Sequence, residues 1–234
     1  MTERPTILVT GSRTGLGRAM AEYFLSLGWA VVGCSRHETD LVHPAYQHHQ
    51  VDVSDERAVH EMFVHIRHEN GHLNALVNNA GLRDVVPFVS EPPDLLRRTL
   101  EVNVVGTANC CREAAKLMQA KRTGRIVNVS SIAVPFASPG MSAYSSSKAA
   151  VEQLGRVLAR EFMSWGITIN TLRLSFVAGT GMYDATPESV RTEIVQETAL
   201  GRALTTGEVC AVVGFLVSAD SGSMTGQILQ LGDM

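Results

Sequence analysis

Near its start the chain reads Ile7-Leu8-Val9-Thr10-Gly11-Ser12-Arg13-Thr14-Gly15-Leu16-Gly17, an apolar run followed by a turn with three glycines. The next segment, Ala19-Met20-Ala21-Glu22-Tyr23-Phe24-Leu25, reads as a helix. Glycine permits a tight turn and a close approach of the backbone to a pyrophosphate, and the start of a helix offers free N–H groups to phosphates. A glycine-rich turn alone indicates only a loop, but one between a strand and a helix predicts a dinucleotide-binding unit.

Along the rest of the chain, apolar runs alternate with segments of helical periodicity, which is the pattern of β-α-β units around a parallel sheet. We expect strands near residues 6–10, 30–34, 46–51, 73–79, 124–130, 167–173 and 226–231, and helices near 15–28, 55–70, 93–120, 142–165 and 208–219. The short connection between Arg36 and Gln50 contains Pro44, so a loop or a single turn is expected there. The sequence therefore predicts an α/β fold, a Rossmann-type doubly wound parallel sheet of about seven strands, as a single domain over residues 1–234.

Length and composition narrow the class of protein. A chain of 234 residues suits one α/β domain with a full core, and 45% hydrophobic residues with a mean hydropathy of +0.07 are ordinary for a soluble protein. The apolar runs are too short to span a bilayer, and the formal net charge of −3 without a basic stretch argues against nucleic acid as a partner. Residues 1–5 lead directly into the first predicted strand, so we expect no signal peptide and a cytoplasmic location with free, buried cysteines.

All eight histidines lie between His37 and His72. His60 and Glu61 resemble the start of a His-Glu-x-x-His zinc motif, but His65 comes one residue late. We therefore expect surface histidines and no metal site. No histidine lies near Ser131, Tyr144 or Lys148 in the sequence, which argues against a Ser-His-Asp hydrolase.

Tyr144 and Lys148 lie four residues apart in Tyr144-Ser145-Ser146-Ser147-Lys148, so on a helix they share one face. A tyrosine with a pKa of about 10 is a poor proton donor and acceptor near neutrality, and a nearby ammonium lowers that pKa by stabilising the phenolate. Such a pair alone is typical of a solvated helix face. Beside a dinucleotide-binding turn, it predicts a site of proton transfer.

These two features together resemble the short-chain dehydrogenase/reductase superfamily, over nearly the whole chain. Three further stretches are similar to family motifs: Asn78-Asn79-Ala80-Gly81, Asn103 within Val102-Asn103-Val104-Val105-Gly106, and Ile126-Val127-Asn128-Val129-Ser130-Ser131. The nearest type is the 3-oxoacyl-carrier-protein reductase. The resemblance implies hydride transfer between a nicotinamide and a carbonyl or secondary alcohol, that is, a ketoreductase.

The resemblance also implies the role of each site residue. Tyr144 would be the general acid, Lys148 would lower the Tyr144 pKa and bind the nicotinamide ribose, Ser131 would bond the carbonyl oxygen, and Asn103 would hold a water. The residues expected to bind the cofactor are Gly11, Ser12, Arg13, Gly15, Leu16, Gly17, Ser35, Arg36, Asp52, Val53, Asn79, Ala80, Gly81, Tyr144, Lys148 and Val177.

The end of the second predicted strand indicates which cofactor is used. NAD enzymes of this fold place an acidic residue there to bond the ribose 2′-hydroxyl. Here Ser35 and Arg36 occupy that point, and Arg13 lies in the glycine-rich turn. Two guanidinium groups favour a 2′-phosphate, so the sequence predicts NADP.

The substrate end is less determined by the sequence. Leu174-Ser175 replaces the Pro-Gly of the family, and residues 178–183 read as a mobile lid. The candidate pocket residues, mostly apolar, are Val134, Phe136, Met141, Phe176, Met182 and Tyr183. We expect a small-molecule carbonyl or alcohol, either free or bound to a carrier. A non-catalytic dinucleotide sensor or a scaffold on the same fold is the alternative.

Two predicted helices carry more apolar residues than one sheet face can cover, so we expect a homotetramer or homodimer. These residues are Val104, Val105, Ala108, Cys111, Ala115, Met118, Ala149, Val151, Leu154, Val157 and Leu158.

Overall fold

A computed structural model describes residues 4–232 and contains a seven-stranded sheet whose strand pairs are all parallel. The strands are β1 (Thr6–Thr10), β2 (Ala30–Ser35), β3 (Tyr46–Gln50), β4 (Ala75–Asn78), β5 (Gly124–Ser131), β6 (Ile167–Leu174) and β7 (Ile228–Leu231). Their order is β3-β2-β1-β4-β5-β6-β7. The predicted Rossmann-type α/β fold is confirmed. The ends of the predicted domain, residues 1–3 and 233–234, lie outside the described residues, and the single-domain organisation stays a prediction.

The helices are α1 (Gly15–Ser26), α2 (Glu56–Asn70), α3 (Leu95–Leu100), α4 (Gly106–Lys121), α5 (Ala133–Phe136), α6 (Ser142–Phe162), α7 (Gly181–Asp184), α8 (Glu188–Glu197) and α9 (Thr206–Val217). All five predicted helical regions are present. The region predicted near 93–120 is divided by a π-helical segment, Glu101–Val105, between α3 and α4. Helices α5, α7 and α8 were not predicted, and α7 begins inside the segment that we read as a lid.

Buried residues on both faces of the sheet form two apolar clusters. Along β1, Leu8 contributes to one cluster while Ile7 and Val9 contribute to the other, because successive strand residues point to opposite faces. Helices α2, α4 and α6 cover the first face, and α1 and α9 cover the second. This double cover places the carboxyl ends of the strands at one edge of the molecule.

The connection between β2 and β3 contains no helix, as the sequence predicted. The prediction that the histidines lie on the surface is wrong for His72, which is buried beside β4, and His48 is half-buried on β3. His72 lies in the connection between α2 and β4, beside Leu73, which belongs to the first apolar cluster, so His72 is buried with this cluster although it is polar. All four cysteines are free and buried, which confirms the prediction, and burial raises the pKa of Cys34 to about 12.

No helix within residues 4–232 combines the length and apolar character needed to cross a membrane.

Candidate active site

A cavity of about 860 Å³ opens at the carboxyl ends of β1, β4, β5 and β6. The chain order of the sheet reverses between β1 and β4, which is where open α/β sheets bind their ligands. The cavity wall includes Ser131 and fifteen of the residues predicted to bind the cofactor. These fifteen are Gly11, Arg13, Gly15, Leu16, Gly17, Ser35, Arg36, Asp52, Val53, Asn79, Ala80, Gly81, Tyr144, Lys148 and Val177. Ser12 and Asn103 do not line it.

The glycine-rich turn is held in place by hydrogen bonds from neighbouring strands. The N–H of Gly11 donates to the carbonyl oxygen of Cys34 at 2.8 Å, and Asn79 Nδ2 donates to the carbonyl oxygen of Thr10 at 2.9 Å. Gly11 has a φ of +68°, and a side chain at Gly17 would clash with the Gly11 carbonyl oxygen. The Asn79 side chain therefore helps to shape the turn at the wall of the cavity.

The start of α1 fits the diphosphate of a dinucleotide. Its N-cap residue, Thr14, makes no side-chain capping bond, and the first turn contains no acidic residue. The first N–H groups of a helix lack intrahelical partners and carry a partial positive charge. These donors lie beside Gly15 and Leu16, which line the cavity, so an anionic ligand would satisfy them.

At the far end of the cavity, Arg13 and Arg36 are exposed and line the wall with Ser35. Within residues 4–232 neither arginine forms an ion pair. Asp52 is engaged locally, because its Oδ1 accepts from the N–H and the hydroxyl of Ser54 at 3.0 and 2.7 Å. These two arginines give this end of the cavity a positive charge, although Asp40, which pairs with Arg18, is close enough to Arg13 for the Arg13 charge to help lower the Asp40 pKa.

Ser12 is placed differently from the prediction. Its side chain is fully buried beneath the turn, where its hydroxyl lies 3.1 Å from the Tyr46 hydroxyl. The Tyr46 hydroxyl in turn lies 2.9 Å from His48 Nδ1, and a side chain at Gly33 would occupy the space of both hydroxyls. Ser12 therefore connects the turn to β3, and the sequence motif could not reveal which way its side chain points.

Tyr144 and Ser131 meet at the wall of the cavity. Ser131 is the last residue of β5, and Tyr144 lies in the first turn of α6. Burial raises the pKa of Tyr144 above its usual value, while a hydrogen bond with Ser131 and the charge of Arg83 lower it to a smaller extent. The sequence predicted a pKa lowered by Lys148. In the structure the direction is the opposite, because removal from water outweighs the nearby donors and charges.

Lys148 is buried one helical turn beyond Tyr144. Its Nζ donates to the carbonyl oxygen of Val129 at 2.7 Å and lies 5.8 Å from the centroid of the Tyr144 ring. Burial lowers the pKa of Lys148 to about 8. The group is therefore mostly protonated at pH 7 but close to losing its proton.

Asn103 lies behind this pair, in the π-helical segment. Its Oδ1 accepts from the N–H of Leu82 at 2.7 Å, and its Nδ2 donates to the Leu82 carbonyl oxygen at 2.9 Å and to Ser147 Oγ at 2.8 Å. The side chain thus fixes the loop after β4. The space at Gly81 is bounded by Asn103 Oδ1 and Lys148 Nζ, so a side chain there would press on Asn103 Oδ1 and touch Lys148 Nζ. The water-binding role of Asn103 stays a prediction.

On the substrate side, five of the six predicted residues line the cavity: Phe136, Met141, Phe176, Met182 and Tyr183. Val134 does not, because α5 turns Ala133 and Phe136 toward the cavity instead. Ser175 is nearly buried against Gly232, and its hydroxyl has no hydrogen-bond partner among the described residues.

Sequence reasoning missed several lining residues on this side, among them Arg83, Thr186, Val190 and Ile194. Arg83 lies two residues beyond the Asn78–Gly81 motif, and it could have been found only by considering the residues that follow that motif. Val190 and Ile194 lie on the unpredicted helix α8, one helical turn apart.

Comparison with known proteins agrees with this geometry. A family model described as short chain dehydrogenase matches residues 5–191, so the chain belongs to the short-chain dehydrogenase family of oxidoreductases. The chain is 29% identical over 230 residues to the 3-oxoacyl-[acyl-carrier-protein] reductase FabG of Salmonella typhimurium, and the match covers 96% of this chain and 94% of that reductase.

Two solved structures are similar over nearly the whole chain. ElxO with NADP bound has a TM-score of 0.88 at 29% identity, covering 97% of this chain and 96% of ElxO. NAD⁺-bound xylitol dehydrogenase has a TM-score of 0.92 and full coverage of both chains at 24% identity, which supports the fold alone.

Proposed function

We propose that the protein is an NADP-dependent ketoreductase that interconverts a carbonyl compound and a secondary alcohol. One observation carries this proposal: Ser131, Tyr144 and Lys148 converge on one wall of a cavity that also contains the glycine-rich turn and the start of α1. A nicotinamide cofactor, when bound, supplies or accepts the hydride. The protein's own side chains supply the proton and the polar contacts to the reacting oxygen.

Tyr144 acts as the general acid in the direction of reduction. Its raised pKa keeps the phenol protonated at neutral pH, so a proton is available for the carbonyl oxygen as negative charge develops there. The Ser131 hydroxyl, which helps to lower the Tyr144 pKa, lines the same wall of the cavity and donates to the same oxygen. Lys148 is mostly protonated below its pKa of about 8, and its charge stabilises the phenolate that Tyr144 leaves behind.

The choice of NADP rests on the positive end of the cavity. Arg13 and Arg36 form no ion pair within the described residues and can hold a 2′-phosphate through charge-assisted hydrogen bonds. ElxO, a relative of similar structure, has been solved with NADP bound. The remaining cavity wall is mostly apolar, which suits a carbonyl compound with a hydrocarbon portion.

Replacing Tyr144 by phenylalanine tests the proposed acid. We expect Tyr144→Phe to lower kcat for ketone reduction by about a hundredfold or more, because the proton donor is lost. The affinity for NADPH, measured by fluorescence titration, should stay nearly unchanged, since the ring shape is kept.

Tyr23→Phe is the matched control, because Tyr23 lies on α1 and does not line the cavity. It should retain the parent activity. If Tyr144→Phe kept more than a few per cent of activity, Tyr144 would not be the acid. If the parent bound NADPH but reduced no ketone in a broad panel, the protein would instead be a dinucleotide sensor or scaffold.

A further inference from the structure

Arg83 is a cationic side chain on the substrate side of the cavity that the proposed chemistry does not use. It lies in the loop between β4 and α3, is partly buried, and lines the cavity wall. Its Nη2 donates to the Thr186 hydroxyl at 2.6 Å, which connects this loop to the segment between α7 and α8.

The charge of Arg83 has no acidic partner among residues 4–232. Two other arginines do have acidic partners: Arg173 pairs with Glu152 at 2.7 Å, and Arg202 pairs with Glu208 at 2.6 Å. A guanidinium that is partly removed from water is stabilised by an anion. A guanidinium has five N–H donors, and the bond to Thr186 uses one of them. The others form a planar fork that matches a carboxylate.

The surroundings of Arg83 indicate where such an anion would lie. The guanidinium is close enough to the Tyr144 hydroxyl for its charge to lower the Tyr144 pKa. Apart from Lys148, the other cations of the cavity wall are Arg13 and Arg36, at the opposite end. The neighbouring wall is apolar and includes Phe136, Met141, Met182 and Ile194. One cation in an apolar site suits a single negative charge rather than a phosphate dianion.

We propose that Arg83 binds a carboxylate of the substrate, so that the substrate is an oxo acid and the product a hydroxy acid. This inference rests on the proposed ketoreductase function and names its substrate class. An oxo acid, NADPH and one proton give a hydroxy acid and NADP⁺. The carboxylate is unchanged in the reaction and serves only to orient the carbonyl carbon. A carrier-bound oxoacyl thioester is uncharged beside its carbonyl and would leave Arg83 without a partner.

The test compares acids with their neutral esters. Acetoacetate, levulinate and benzoylformate are each measured beside the corresponding methyl ester, and kcat/KM is determined with NADPH. In the parent enzyme we expect at least one acid to exceed its ester by about tenfold or more, mainly through KM. Arg83→Met should remove this preference. Any effect of the substitution on the Tyr144 pKa acts on acid and ester alike and cancels in their ratio.

Thr186→Val separates charge recognition from a structural role. This variant loses the hydrogen bond between the two loops but keeps the guanidinium, so the preference for the acid should remain. A merely structural latch would instead make both variants lose activity on acids and esters equally. Urea unfolding of each variant verifies that it is folded.

Each result decides between the two proposals. If the parent reduces the esters or other ketones but prefers no acid, or if Arg83→Met keeps the acid preference, the carboxylate site is wrong and the ketoreductase function stands. If the parent reduces no carbonyl compound, the proposed function itself is wrong, and the substrate assignment with it.

Discussion

At the scale of single residues, burial has the largest effect on the pKa values of the two central side chains, Tyr144 and Lys148. Burial raises the pKa of Tyr144 and lowers that of Lys148, so in both residues it favours the uncharged form. Only a few short contacts oppose it, such as the Ser131 hydroxyl beside Tyr144. The protein therefore keeps a neutral acid and an easily deprotonated ammonium side by side, which suits proton transfer and costs stability.

The stability cost of burying the Lys148 amine predicts how Lys148→Met changes the pH dependence of stability. The pKa of Lys148 falls from 10.5 to about 8 on folding, so between these pH values the unfolded chain holds a proton that the folded protein has lost. The stability of the parent therefore rises with pH across this window, relative to a variant without the amine. A difference of about 2.5 in pKa corresponds to about 3 kcal/mol.

Urea unfolding of parent and variant at pH 7 and at pH 10.5 measures this change. From pH 7 to pH 10.5, we expect the free energy of unfolding of the parent to rise by about 3 kcal/mol more than that of Lys148→Met. Both proteins share every other titrating group, so their contributions cancel in the difference. The loss of the bond to Val129 shifts the whole curve of the variant but not its slope. Parallel curves for the two proteins would show that Lys148 titrates normally.

A second prediction concerns Arg36. We expect the parent to prefer NADPH over NADH by at least about tenfold in kcat/KM, equivalent to ~1.4 kcal/mol. Arg36→Asp should erode or reverse this preference, because an aspartate repels the 2′-phosphate and can accept from a 2′-hydroxyl. Arg57→Asp, on the exposed face of α2, makes the same change of charge away from the cavity and serves as the control. Equal efficiency with both cofactors in the parent would contradict the charge argument.

Which residues line the cavity was largely predictable, but the direction of their side chains was not. Helix spacing indicated that Tyr144 and Lys148 share a face, and the family resemblance implied that Ser131 joins them; all three line the cavity. The roles of Ser12 and Asn103 as contacts within the protein depend on Tyr46 and Leu82, which are distant in sequence. Nothing in a linear motif records such partners.

At the scale of elements, the glycine-rich turn controls how closely α1 approaches β1. A methyl group at Gly17 would clash with the Gly11 carbonyl oxygen and press on Asn79 Nδ2. We expect Gly17→Ala to weaken NADPH binding by about tenfold or more, because α1 and its free N–H groups must move. Overpacking at such a contact should also lower the free energy of unfolding by about 1–3 kcal/mol.

Gly207→Ala is the matched control for this prediction. Gly207 lies in the first turn of α9, and a methyl group there would meet only Thr205 Oγ1, at 3.9 Å. It should raise the free energy of unfolding by about 0.5–1 kcal/mol through helix propensity and leave NADPH binding unchanged. Fluorescence titration and urea unfolding measure both quantities. Normal NADPH affinity in Gly17→Ala would show that the turn adapts.

The three helices that the sequence did not predict leave no apolar period to read, for two reasons. Helices α7 and α8 contain no buried residue, so they leave no periodic apolar pattern to read. Helix α5 has only four residues, too few for a period. In contrast, the strands were predicted to within about two residues at each end, because turns bound each strand and the five inner strands are largely buried. The substrate side was thus the least predictable part, since α7 and α8 form much of its wall.

At the scale of the whole molecule, the apolar surplus on α4 and α6 is smaller than the sequence indicated. Cys111, Ala115, Met118 and Val151 are buried within the chain, where they face the sheet. The prediction counted them as surface because one sheet face was assumed to be too small to cover them. Val105 in the π-helical segment and Val157 on α6 remain 45% and 44% exposed, and Ala149 is exposed as well.

We still expect a homotetramer or homodimer, built on the outer surface of α6. Val157 and Ala149 lie on the helix that carries Tyr144, so a partner packed against them would bury apolar area and restrain that helix.

Light scattering at micromolar concentration should give a mass two or four times the 25.3 kDa of one chain. Val157→Asp should lower this mass and, through the loosened helix, lower kcat. Val42→Asp places the same charge at a residue that is 92% exposed in the β2–β3 connection, and it should change neither quantity. A parent mass near 25.3 kDa would mean that the packing of α6 within one chain suffices to hold Tyr144 in place.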